Sequence, residues 1–357
     1  MFAAVILAVF SSFMGVAHAG YAAIVVDPAT GQVLSAVNAD EQNHPASLAK
    51  MMTLYLTFQA LQNGKLKVDQ LLPVSAWAAA KAPTKLGLRA GQTISVRDCI
   101  LGMVTKSAND AATVIAEDLG GSESHFVELM NAQALRIGMA DTRFGNASGL
   151  PDPDDATTTR DMAKLAIALY HDFPQDTPYF ATKEFMFRGR LVRGHNHLMD
   201  RYPGMDGLKT GFTDASGFNL ASTAVRDGQR LFAVVMGGRT AAARDQLMAR
   251  LLDDGFDHRQ TPATLVAQAG GARSSVARRV LAALSPIGSA EAEETMPSPQ
   301  HHHRRHGRSV PVARVCTPHR GITCTHRNVA AHPHPVRGAS RLAHRNAKKP
   351  VVVASSR

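Results

Sequence analysis

Hydrophobic periodicity switches twice along residues 1–260, from strand-like to helical and back, an order that few architectures accommodate. Residues 21–26 form a β-rich run, Asp27-Pro28-Ala29-Thr30-Gly31 supplies turn chemistry, and 32–37 resume extended character, which predicts a hairpin. A second hairpin is predicted where 218–225 and 231–236 flank Asp227-Gly228. Between them Leu48, Met51, Met52, Leu54, Tyr55, Phe58 and Leu61 recur at steps of three and four, so 47–61 reads as a helix with one buried face, closed by Asn63-Gly64. Further helical patterns cover 96–104, 110–119, 124–137 and 159–170, and another, 241–252, follows the second hairpin. Strands at both ends with helices between predict a mixed α/β (α+β) domain. Its central, mostly antiparallel sheet is built jointly by the N- and C-terminal strands and flanked by helices, with a helical subdomain.

The 357 residues are 45% apolar, enough for a sizeable core. The net charge of +10 is unevenly spread: 261–357 carry 15 Lys and Arg against 3 Asp and Glu, which leaves −2 for 1–260. Basicity thus belongs to a tail, and no nucleic-acid partner is expected. Residues 2–16 are an apolar run too short to cross a bilayer, followed by Ala17-His18-Ala19. This predicts a signal peptide over 1–19 and export to the periplasm or the outer face of the cytoplasmic membrane. A folded domain is expected over 20–258, and a basic, His/Pro/Ala-rich, largely disordered tail over 259–357 with one short amphipathic helix at 275–284. His301, His302, His303 and His306 in that tail read as a solvated polycation rather than a metal site. Cys99 lies in an apolar stretch and is expected to be a buried thiol, while pairing of Cys316 with Cys324 is left open.

Three short motifs occur in order: Ser47-Leu48-Ala49-Lys50, Ser107-Ala108-Asn109 and Lys209-Thr210-Gly211. Each of the first two arises by chance roughly once in a chain this long and the third roughly once in ten such chains, so the joint occurrence carries the weight. On a helix, residues three apart share a face, which puts the Lys50 amine within reach of the Ser47 hydroxyl. A serine needs a base beside it, and a lysine serves only if burial and a second cation, for which Lys209 is the candidate, disfavour its ammonium. Ser107 suits proton relay to a leaving amine, and Asn109 suits orientation of Lys50 and a substrate amide. Lys209 and Thr210 suit a carboxylate, and Gly211 a strand whose backbone must approach the substrate. The structural alternatives are that Ser47 is a helix N-cap, that Ser107 and Asn109 merely begin the helix at Asp110, and that 209–211 is an exposed strand end.

This ordered set is shared by penicillin-binding proteins and class A β-lactamases. The chain resembles the low-molecular-mass penicillin-binding proteins, serine-type D-Ala-D-Ala carboxypeptidases, in longer stretches too. These include His44-Pro45-Ala46-Ser47-Leu48-Ala49-Lys50-Met51-Met52-Thr53, Lys85-Leu86-Gly87-Leu88, Asn146-Ala147-Ser148-Gly149-Leu150-Pro151, Gly207-Leu208-Lys209-Thr210-Gly211-Phe212-Thr213 and Val235-Met236-Gly237-Gly238. The resemblance implies a β-lactamase/transpeptidase-like fold, with Ser47 the nucleophile, Lys50 its base, and Ser107 with Asn109 the second active-site element. It also implies an oxyanion hole from the main-chain N–H groups of Ser47 and Phe212, and substrate contacts from Lys209, Thr210, Gly211, Phe212 and Thr213. Arg244 resembles the family's arginine downstream of the Gly-Gly pair.

The implied partners are peptidoglycan stem peptides ending in D-Ala-D-Ala, with β-lactams as covalent inhibitors, and no metal or organic cofactor is implied. The second β-rich domain and C-terminal amphipathic anchor of many relatives have no counterpart in 263–357, so the basic tail is expected to make weak electrostatic contact with anionic membrane or wall polymer. Two rivals remain. One is a β-lactamase, for which Glu128 in Glu128-Leu129-Met130-Asn131 is the candidate deacylating carboxylate; the other is a catalytically idle peptidoglycan-binding protein.

Overall fold

The computed structural model describes residues 21–270. The expected signal peptide, the histidine cluster, Cys316, Cys324 and the helix expected at 275–284 lie outside the described residues. In chain order the elements are β1 (Ala22–Asp27), β2 (Gln32–Val37), a 3-10 turn (Ala46–Ala49), α1 (Lys50–Gln62), β3 (Leu71–Pro73), α2 (Ala76–Ala79), β4 (Thr93–Ser95), α3 (Val96–Leu101) and a π turn (Gly102–Lys106). There follow α4 (Asn109–Gly120), α5 (Glu123–Arg136), α6 (Thr159–Asp172), β5 (Glu184–Phe187), β6 (Arg190–Arg193), β7 (Met205–Thr213), β8 (Gly217–Arg226), β9 (Gln229–Gly238), α7 (Ala241–Phe256) and α8 (Ala263–Gly270).

The five long strands form one antiparallel sheet in the order β2-β1-β9-β8-β7, so the N-terminal hairpin joins the C-terminal strands through β1 and β9. Alternation along each strand feeds two cores. Ile24, Val26, Phe232, Val234 and Met236 face the helical layer with α1 and α6, while Ala23, Val25, Leu231, Ala233 and Val235 face α7 and α8. Covering both faces explains why β1 and the inner part of β9 are continuously apolar. β3–β4 and β5–β6 are separate two-stranded ribbons whose runs of three and four residues are too short to stand out from the sequence.

Two expectations are corrected. The helix expected at 47–61 has no solvent face over most of its length: nine consecutive residues, Lys50 to Phe58, are buried. Its polar positions are bonded internally, Thr53 Oγ1 to the Ala147 carbonyl (2.6 Å) and Thr57 Oγ1 to the Thr53 carbonyl (2.7 Å). Secondly, ordered structure continues past 259, because α8 inserts Val266 into the core beneath the sheet and the buried Thr261 bonds Asp254. Cys99 is a buried free thiol, as expected, and burial pushes its pKa up.

Candidate active site

Pro45 and Ala46 lead into the 3-10 turn with Ala46 at φ +48°, a left-handed conformation that costs a non-glycine residue about 1–2 kcal/mol. Packing offsets this. Leu48, Met51, Met52, Leu54 and Phe58 are fully buried, at about 1.5–3 kcal/mol each, whereas α1 has no side-chain cap, a device worth about 1 kcal/mol. The N-cap alternative for Ser47 therefore does not hold. Capping hydroxyls elsewhere belong to Ser75, Ser95, Ser122, Thr158 and Thr240. The Ser47 hydroxyl instead accepts a hydrogen bond from Lys50 Nζ at 2.8 Å.

Lys50 is fully buried, the condition under which an ammonium loses its proton most readily. Its Nζ also donates to the Ser148 carbonyl at 2.6 Å. That carbonyl is held in place by Asn146, whose Oδ1 accepts from the Ser148, Gly149 and Leu150 N–H groups and the Ser148 hydroxyl, while its Nδ2 donates to the Leu150 carbonyl. Gly149 is required at its place: φ is +74°, and a Cβ there would lie 1.8 Å from the Ala46 carbonyl oxygen.

β7 passes behind the serine. A Cβ on Gly211 would stand 3.2 Å from the Ser47 nitrogen, so the strand backbone reaches the turn as closely as a glycine permits. Lys209, Thr210, Phe212 and Thr213 are all buried, which removes the exposed-strand-end alternative. Lys209 Nζ donates to the Thr210 carbonyl (2.7 Å), and Thr213 is locked to Ser216 by hydroxyl and backbone bonds of 3.0 Å. A cavity of about 270 Å³ opens beside this junction, lined by His44, Ala46, Gly149, Asp155, Thr213 and Ala215 among others.

Ser107 is buried at φ +58°, directly after the π turn, and its carbonyl accepts from Thr84 Oγ1 at 3.0 Å. Asn109 opens α4, but its Nδ2 reaches the Ala82 carbonyl (3.0 Å) and caps nothing. Its Oδ1 is buried and has no hydrogen-bond partner among the described residues. α4 packs against α1, so both heads belong to one helical layer. Thus Ser47 is bonded to Lys50 and its backbone is closely approached by Gly211, and Ser107 with Asn109 heads the neighbouring helix. Arg244 is buried one strand away from Gly211, its guanidinium bonded to Asp245 and to the carbonyl of Asn219, the residue paired with Gly211.

Two residues were not read from the sequence. Asn219 donates from Nδ2 to the His44 (3.1 Å) and Pro45 (3.4 Å) carbonyls and accepts from the Gly237 N–H (3.0 Å), fastening β8 and β9 to the entrance of the Ser47 turn. Its signal was an amide inside an apolar strand. Asp110, fully buried, accepts from the Leu86, Gly87 and Leu88 N–H groups at 2.9–3.0 Å, strapping the Lys85-Leu86-Gly87-Leu88 segment onto the head of α4.

A helix-flanked antiparallel sheet whose edge strand backs a buried serine–lysine pair is the penicillin-binding architecture. It is matched by penicillin-binding protein 5 of Haemophilus influenzae at 32% identity and TM-score 0.65, over 67% of this chain and 71% of that one. The chain belongs to the D-alanyl-D-alanine carboxypeptidase family, whose model matches residues 11–240. Its sequence is 38% identical over 240 residues to D-alanyl-D-alanine carboxypeptidase DacC of Escherichia coli (strain K12), a match covering 65% of this chain and 60% of that relative's length. Penicillin-binding protein D2 of Listeria monocytogenes, solved in an ampicillin-bound form, aligns at 34% identity and TM-score 0.58, over 66% of this chain and 96% of that one.

Proposed function

We propose that the chain is a serine-type D-Ala-D-Ala carboxypeptidase that removes the terminal D-alanine from peptidoglycan stem peptides through an acyl-enzyme on Ser47. One observation carries the reading: a fully buried Lys50 holds the hydroxyl of a non-capping serine at 2.8 Å. Ser47 Oγ attacks the carbonyl carbon of the penultimate D-alanine while its proton passes to Lys50 Nζ. The main-chain N–H groups of Ser47 and Phe212 receive the oxyanion, a contribution typically worth about 3–4 kcal/mol per donor. The C–N bond then breaks, the leaving amine takes a proton by way of Ser107, and D-alanine departs. Water hydrolyses the ester and restores Ser47.

Asn109 Oδ1, a buried acceptor without a protein partner among the described residues, suits a substrate amide N–H. Lys209 and Thr210 receive the terminal carboxylate, with Gly211 and Thr213 shaping the strand beside it. Arg244, already engaged by Asp245, adds positive charge from α7, across β8. β-Lactams acylate the same serine. The folded domain follows an export signal over 1–19, and the enzyme works in the periplasm or at the outer face of the cytoplasmic membrane, its basic tail drawn electrostatically to anionic lipid or wall polymer.

The test is intact mass after treatment with a fluorescent penicillin. One adduct is expected on the wild-type chain and none on Ser47→Ala, together with D-alanine release from diacetyl-L-lysyl-D-alanyl-D-alanine. Peptidoglycan binding without any adduct would favour the idle wall-binding protein.

A further inference from the structure

The chain's single tryptophan, Trp77, is 60% exposed on α2, and a ring of this kind, an apolar body with a polar N–H, is enriched at binding surfaces. Its orientation is fixed: Nε1 donates to Glu123 Oε2 at 2.7 Å, and the Lys81 ammonium, itself bonded to that oxygen at 2.6 Å, stands 4.1 Å over the ring. With one face under the ammonium, the exposed area falls to the other face and the edge. The ring borders a groove of about 1080 Å³, which is also lined by Asn146, Leu150 and Pro151 of the loop that anchors Lys50.

Charge and hydrogen-bond capacity narrow the occupant. Glu117, Asp118, Glu123 and Asp152 line the groove against a single cation, Lys81, which Glu123 neutralises. An anion is repelled. A ligand rich in donors is favoured, and a groove of this volume suits a hydroxylated unit better than a compact ammonium, which would also meet Lys81 across the ring.

We infer that this groove is a second binding site, taking a neutral, hydroxyl-rich sugar with its apolar face on Trp77. The inference rests on the carboxypeptidase reading and deepens it, since the sugar is the glycan that bears the stem peptide. Glu123 links the two sites: its other oxygen accepts from the Ala147 N–H (3.3 Å), next to the Ser148 carbonyl that holds Lys50.

As the only tryptophan, Trp77 reports the groove directly. The full chain, acylated by penicillin so that Ser47 is blocked, is titrated with chitotetraose while indole fluorescence is followed. A saturable change is expected with the saccharide and none with diacetyl-L-lysyl-D-alanyl-D-alanine. In turnover, Trp77→Ala is expected to lower kcat/KM for a sugar-bearing stem peptide about three- to tenfold, the worth of one aromatic platform, and to leave the free tripeptide within about twofold. No saccharide response, a response to a lysine-rich peptide instead, or equal losses on both substrates would each overturn the proposal. Failure of the carboxypeptidase reading shows separately, as absence of the adduct, and the titration is then run on the unmodified chain with the same outcomes.

Discussion

Lys50 Nζ stands 2.8 Å from Ser47 Oγ, and both side chains are shut away from solvent. The pair works only if the amine can shed its proton, so a substitution that keeps charge and length but forbids deprotonation separates chemistry from packing. Lys50→Arg introduces a guanidinium that stays charged under all working conditions. Penicillin acylation, followed by stopped-flow or timed intact mass, is expected to slow about 10²–10⁴-fold, the usual worth of a general base. An acylation rate near wild type would remove Lys50 from the mechanism.

Asn219 acts at one remove, as a positioning residue. Replacing it by alanine takes the donor from the His44 and Pro45 carbonyls and leaves the buried Gly237 N–H unpaired, a loss of about 1–3 kcal/mol for each stranded group. Asn219→Ala is therefore expected to lower Tm and to reduce kcat for the tripeptide more than it changes KM, since the Ser47 turn loosens while Lys209 and Thr210 remain. If KM alone moved, the amide would be a substrate contact instead.

Much of the sheet and the closeness of Ser47 to Lys50 were legible in advance, because each depends on local spacing. Alternating apolar residues with Asp227-Gly228 define the β8–β9 hairpin, and a separation of three defines Ser47 and Lys50. What stayed hidden depends on long-range closure. Thr53 and Thr57 make α1 look amphipathic, and only the 146–150 loop and the helix's own carbonyls reveal that they are interior. Asn219 and Asp110 act through partners whose backbone atoms lie far off in sequence, and the one local signal, an amide inside an apolar strand at Asn219, does not name those partners. α8 is held by the insertion of Val266 against the sheet, which a segment of only eight residues does not foretell.

Gly149 offers a steric test of the same loop. A methyl there would collide with the Ala46 carbonyl at 1.8 Å and strain a φ of +74°, whereas a methyl on Gly211 would need its neighbours to yield only a few tenths of an ångström at 3.2 Å. Gly149→Ala is expected to destabilise by more than about 2 kcal/mol and to exceed Gly211→Ala in thermal unfolding. The reverse order would mean that the loop does not press on the Ser47 turn.

Asp155 makes stability depend on pH. Burial, with Asp152 and Asp154 adding to it against one Gly145 N–H bond, pushes its carboxyl from 3.8 to about 7. Between those values the folded chain holds a proton that the unfolded chain has lost. The contribution is thus fully present below about pH 4 and is lost as pH rises toward 7. Asp155→Asn keeps a neutral acceptor for Gly145, so its stability should differ least from wild type below about pH 4 and exceed it at pH 8, by at most about 4 kcal/mol. A difference that stays constant across this range would mean the carboxyl titrates normally.

Glu128 decides between the carboxypeptidase and the β-lactamase. Rapid penicillin turnover needs a base aimed at the acyl-enzyme ester, and Glu128 was the carboxylate that the sequence offered. Its side chain is 75% exposed on α5 and bonded to His125 one turn back, a surface pair worth no more than about 1 kcal/mol. A solvent-exposed carboxylate paired with His125 is a poor candidate for that base. Glu128→Gln is accordingly expected to leave the decay of the penicilloyl adduct, followed by intact mass over hours, within about twofold of wild type, where loss of a true deacylating base would slow it about 10²-fold or more.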